Sequence, residues 1–168
     1  TGPYGSGKST LALSFSSILL GTKSEREKAA KLYDKETADQ LWQAFPPRQR
    51  GWKVFSIVGN RTDLETLIES EIAEQLTKKI PNEPITETRQ RQVAIIEDLE
   101  NYLSQNEDLG GIILLIDEMG KLLEAASDGL GDVYFYQLLA EAASRSNGRL
   151  VIIGILHQSF QEYASTAT

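Results

Sequence analysis

The chain contains no cysteine, a single histidine and a single methionine among its 168 residues. Without cysteine there are no disulfides and no thiolate metal sites, and the redox compartment cannot be read from thiol usage. No uninterrupted apolar run is long enough to cross a bilayer, and no stretch has the order of a signal peptide. Positive charge is in deficit: 17 Lys and Arg against 24 Asp and Glu give a formal net charge of -7. That balance opposes nonspecific binding of nucleic acid or of an anionic membrane by this segment, so nucleic acid would have to be met through other regions. Internal repeats and low-complexity stretches are also missing. What remains is 40% hydrophobic and 24% charged, an ordinary composition for one domain with a sizeable core, and a cytoplasmic location is the expectation.

The most informative stretch opens the chain. Gly2-Pro3-Tyr4-Gly5-Ser6-Gly7-Lys8-Ser9-Thr10 fits the phosphate-loop pattern G-x-x-x-x-G-K-[ST]. Glycines at 2, 5 and 7 permit backbone angles and close approaches that a β-carbon would block. Successive N–H groups, Ser6 and Thr10 among them, can then curl around a phosphate, and the helix that follows aims its positive end at the same anion. Lys8 is placed to reach the β- and γ-phosphates, and the Ser9 hydroxyl to ligate Mg²⁺. A phosphate loop needs a buried strand ahead of it, yet Thr1 opens directly on the loop. The segment is therefore expected to belong to a longer chain.

A helix is expected from Lys8 to Leu20, with Gly21 as its left-handed C-cap. Residues 22–50 turn to mixed charge and read as a surface insertion of short helices, with Leu32, Leu41, Trp42 and Phe45 as its core contacts. Trp52 to Val58 is a strand by its β-branched and aromatic content. Thr62 and Glu65 have the spacing of a capping box, ahead of Leu64, Leu67, Ile68, Ile72 and Leu76 at helical period. Pro81 and Pro84 break the chain. A further helix, from about 86 to 104 by this apolar period, should bury Val93, Ile96, Leu99 and Leu103.

Ile112-Ile113-Leu114-Leu115-Ile116-Asp117-Glu118 is an apolar run without alternation, as a central parallel strand requires. Two carboxylates at its C-terminal end lie where open α/β sheets bind ligands. Downstream of a phosphate loop this is a Walker B element: Asp117 would hold Mg²⁺, and Glu118 would orient and deprotonate the attacking water. A helix from Met119 to Ala126, a loop ending at Asp132 as N-cap, and a helix from Val133 to Arg145 burying Tyr136, Leu139, Ala140 and Ala143 should follow. The loop's acidic residues lack the spacing of an EF-hand. Leu150 to Leu156 is a third apolar strand, tipped by His157 and Gln158, before a closing helix that carries Phe160 and Tyr163. A polar tip there could contact the γ-phosphate or simply end the strand.

In this order the elements resemble the additional-strand, catalytic-glutamate group of P-loop ATPases, everywhere except at residues 22–50. The runs Gly-Pro-Tyr-Gly-Ser-Gly-Lys-Ser, Leu-Ile-Asp-Glu-Met-Gly-Lys-Leu-Leu-Glu and Gly-Ile-Leu-His-Gln-Ser-Phe-Gln-Glu-Tyr-Ala are similar to AAA+/STAND-like ATPases of prokaryotic antiphage defence systems. The resemblance implies a three-layer α/β fold with a mostly parallel sheet in the order 5-1-4-3-2. The readable strands would be 2, 3 and 4, contiguous, with the Asp-Glu strand central and strands 1 and 5 outside the segment. It also implies ATP and Mg²⁺ as ligands, Glu118, Lys8 and His157 as catalytic residues, and work within a homo-oligomer or multi-protein complex. Arg145 and Arg149 are poorly matched to the arginine finger of such ATPases. A regulatory or scaffold module that hydrolyses little, and a small-molecule kinase, remain as alternatives. GTP is disfavoured because no Asn-Lys-x-Asp run occurs.

Overall fold

The computed structural model describes residues 7–76 and 87–156. Within them lie α1 (Lys8–Ser17), α2 (Lys23–Ala30), α3 (Lys35–Ala44), β1 (Lys53–Val58), α4 (Leu64–Gln75), α5 (Thr88–Gln105), β2 (Ile112–Asp117), α6 (Met119–Ser127), α7 (Val133–Arg145) and β3 (Leu150–Gly154). The strands form one parallel sheet in the order β1-β2-β3, with Phe55 beside Leu114 and Leu114 beside Ile152. The Asp-Glu strand is central among the described strands, as its unbroken apolar run requires: Ile112, Ile113, Leu114 and Ile116 are fully buried.

Alternation along β2 divides the core into two layers. Ile112, Leu114 and Ile116 meet Phe55, Ile57, Leu64, Ile68, Leu99, Phe135 and Leu139, which are carried by β1, α4, α5 and α7. Ile113 and Leu115 face the other way, onto Ala12, Ala38 and Trp52, with Phe15, Trp42 and Phe45 packed around them. Helices therefore cover both faces of the sheet. Asp117 continues the alternation and shares the face that receives α1.

Several expected details are corrected. Helix α1 stops at Ser17 with Ile18 as C-cap, because Leu20 leaves the helix to bridge Trp52 in parallel fashion. Gly21 is left-handed, at φ 72, but lies beyond that cap. In the charged region, α2 and α3 form, yet Leu32 is 75% exposed and Arg26 is buried. The Arg26 guanidinium earns its place by donating to the carbonyls of Gly21 and Arg48. Trp42 Nε1 donates to the Ile18 carbonyl at 2.9 Å, and Phe45 makes edge contacts with Phe15 and Trp52, so this region packs against α1.

The N-cap of α4 is Asp63, which accepts from Thr66 N–H at 2.7 Å, and Glu65 is buried instead of closing a box with Thr62. In α5 the inward face holds Gln92, Ile95, Ile96, Leu99 and Leu103, while Val93 turns out. In α7 it holds Phe135, Leu139 and Ala142, with Ala140 exposed and Tyr136 half-buried. Asp132 caps α7 as expected, accepting from Tyr134 N–H at 2.9 Å. Pro81, Pro84, His157, Gln158, Phe160 and Tyr163 lie outside the described residues. Among the described residues no helix is long and apolar enough to cross a membrane.

Candidate functional site

Helix α1 begins on Gly7, whose φ of 75° and ψ of 15° are left-handed, a conformation that costs a residue with a β-carbon roughly 1–2 kcal/mol. No side chain caps this helix end. The N–H groups of such a first turn face outward and, with the helix dipole, favour an anion. Lys8, Ser9 and Thr10 make up that first turn, Lys8 and Ser9 half-buried and Thr10 exposed. Gly2, Gly5 and Ser6 of the expected loop lie outside the described residues, as does His157.

Ser9 is drawn to the end of the central strand. Its hydroxyl donates to Asp117 Oδ2 at 2.6 Å, across 108 residues of chain. The other carboxylate oxygen of Asp117 accepts the Glu118 N–H at 2.8 Å. One hydroxyl and one carboxylate thus converge beside an anion-attracting helix end. That donor set fits Mg²⁺, which takes hard oxygen ligands from one or two protein groups and completes its shell with phosphate and water. Among the described residues no group of three or more His, Cys, Asp or Glu side chains could hold a metal.

Glu118 leaves β2 through a tight turn. Its φ of 54° and ψ of 33° are left-handed, a conformation uncommon outside glycine. Three neighbours impose it. Asp117 holds its N–H, its carbonyl accepts the Lys121 N–H at 3.0 Å, and Met119 N–H donates to the Ile155 carbonyl at 3.1 Å on β3's continuation. On the β1 side, Gly59 donates to the Asp117 carbonyl at 2.8 Å, and a β-carbon at 59 would collide with the Glu118 carbonyl oxygen. The side chain is 22% exposed, with Oε2 placed 3.3 Å from Lys121 Nζ.

The structure therefore brings together Lys8, Ser9, Asp117 and Glu118 at the C-terminal end of the sheet. Sequence reasoning missed Gly59 and Lys121. A glycine directly after a strand and a lysine three residues beyond the Glu were their signals, but each is common, and only the neighbouring strand and helix give them meaning. Arg145 and Arg149 lie away from this end. Arg149 donates to the carbonyls of Leu103, Asn106, Leu109 and Gly110, closing the end of α5, and Arg145 pairs with Glu100 at 3.0 Å. Comparisons with protein-family models, with curated proteins and with solved structures returned no match.

Proposed function

We propose that this region is a P-loop ATPase site, binding ATP with Mg²⁺ and hydrolysing its terminal phosphoanhydride. The observation that carries the reading is the 2.6 Å bond between Ser9 and Asp117, which joins the Gly-Lys-Ser turn to the acidic end of the central strand. Chance similarity in either motif would not require the two to meet. The parallel order with the Asp-Glu strand in the middle supports the 5-1-4-3-2 arrangement, in which β1, β2 and β3 would be strands 2, 3 and 4.

In this reading the first turn of α1 receives the phosphates and Lys8 balances their charge. Ser9 and Asp117 supply the oxygens for Mg²⁺, which when bound neutralises charge on the β- and γ-phosphates. Glu118 accepts a proton from the attacking water, and its preset backbone spares reorganisation at that moment. His157 or Gln158 would contact the γ-phosphate. ATP turnover would drive conformational change in a larger, oligomeric assembly, with antiphage defence as the setting that the three sequence runs favour.

The test is Glu118→Gln in the full-length protein, which keeps size and hydrogen bonding but removes proton acceptance. Loss of a positioned base costs about 10²–10⁴ in rate, so phosphate release should nearly stop while ATP stays bound. Wild-type turnover at background level, unchanged by the substitution with partners present, would leave a nucleotide-binding module without hydrolysis.

A further inference from the structure

We propose that Lys121 is a positioning residue for Glu118, a role that rests on the hydrolytic reading of the site. Glu118 stands at the N-cap of α6, where a carboxylate ordinarily bonds the first-turn N–H groups, yet its side chain makes no cap bond. Its Oε2 lies 3.3 Å from Lys121 Nζ instead. The same lysine donates its main-chain N–H to the Glu118 carbonyl at 3.0 Å. Lys121 thus grips Glu118 at both backbone and side chain.

The main chain around Glu118 is held by the bonds to Asp117 and Lys121 and by the Met119–Ile155 bond, with Gly59 packed closely on its carbonyl. Freedom is then left in the side-chain torsions, and the ion pair favours those that keep Oε2 beside Lys121 Nζ. A half-exposed pair of this spacing contributes little to stability, and the Lys121 side chain is 52% exposed. Its consequence lies in geometry. A base that must meet a water in one orientation loses rate whenever it occupies another rotamer. The effect belongs to the chemical step, since Lys121 sits beyond Glu118 in α6 and the proposed phosphate contacts come from α1.

The experiment measures steady-state and single-turnover phosphate release, with affinity for a fluorescent ATP analogue, on the full-length protein. The variants are Lys121→Met, Lys121→Arg and each combined with Glu118→Gln, with Lys121→Gln as a second neutral variant should methionine disturb folding. Lys121→Met should lower kcat about two- to fivefold, the range of an exposed pair expressed as rate, with KM and affinity unchanged. Lys121→Arg should retain most of the rate. With Glu118→Gln in place, Lys121→Met should cost nothing further. An unchanged or raised kcat in the neutral variants, a loss in affinity instead of kcat, or an equal loss in the Glu118→Gln background would each overturn the role. If Glu118→Gln itself leaves turnover intact, the hydrolytic reading falls, and that result is separate from Lys121 failing alone.

Discussion

Asp117 divides its carboxylate between two tasks. Oδ2 takes the Ser9 hydroxyl and Oδ1 holds the Glu118 N–H. In the proposed reading the first bond lies where both residues would offer oxygen to Mg²⁺, and the second holds the left-handed turn at Glu118. Ser9→Ala and Asp117→Ala should each weaken ATP binding at least about tenfold in Mg²⁺, judged from partners of metal sites generally. In EDTA the losses should be much smaller. Asp117→Ala should also lower turnover beyond what restored binding at saturating ATP recovers, because the Glu118 turn loses its acceptor. Equal losses with and without metal would take both residues off the ion.

At the scale of elements, the entry to α4 shows how caps and ion pairs fix the end of the sheet that carries the site. Asp63 bonds Thr66 through its N–H and hydroxyl and pairs with Arg91 at 3.0 Å, while Arg91 also reaches Glu69 at 2.7 Å. Partial burial pushes the Asp63 carboxyl up, but the Thr66 bonds and the Arg91 charge together outweigh it and hold the group below its ordinary range. A folded pKa lowered this way gives stability that is present above the unfolded pKa of about 3.9 and lost as pH falls through the folded value. Asp63→Ala should therefore cost about 1 kcal/mol near neutral pH, the usual worth of an N-cap. Urea unfolding at neutral pH and again below about pH 3 should show that deficit shrinking on acidification. A deficit independent of pH would assign it to packing.

Across the whole molecule, three helices on one face are tied by a buried polar contact. Gln92 Nε2 of α5 donates to Glu65 of α4 at 2.7 Å and to Asp132, the cap of α7, at 3.1 Å. Gln92 and Glu65 are 1% and 2% exposed. The same environment pushes the Tyr136 phenol well above its ordinary range, chiefly by burial and further by the Glu65 charge, so Tyr136 stays neutral. Gln92→Leu would leave the Glu65 carboxylate buried without this donor, a loss of about 1–3 kcal/mol. Replacing both by leucine should recover part of it, because no charge is then stranded. Denaturant midpoints at unchanged slope would measure both. A double variant no better than the single would mean that shape, and not the stranded charge, sets the cost.

The sequence alone determined those features whose cause is local. A short unbroken apolar run released by Gly110-Gly111 and ended by two carboxylates fits a strand covered on both faces, so β2 was legible together with its central place among the described strands. Asp132 and the limits of α7 were legible because a cap and a period of apolar residues act within a few positions. Lys8, Ser9, Asp117 and Glu118 were legible as a candidate set, since phosphate and metal sites use those residue types at those spacings, and the fold brings Ser9 to Asp117. Tertiary structure decided the rest. Helical period locates an apolar stripe, but one residue of offset turns a helix by about 100°, and only the neighbouring sheet and helices choose Gln92 over Val93, or Ala142 over Ala140. Ser9 meets Asp117 because α1 packs on the face that Ile113 and Leu115 begin. Glu118 is left-handed because Gly59 and β3's continuation crowd its turn from either side. Those forces act between residues far apart in the chain, and no local pattern encodes them.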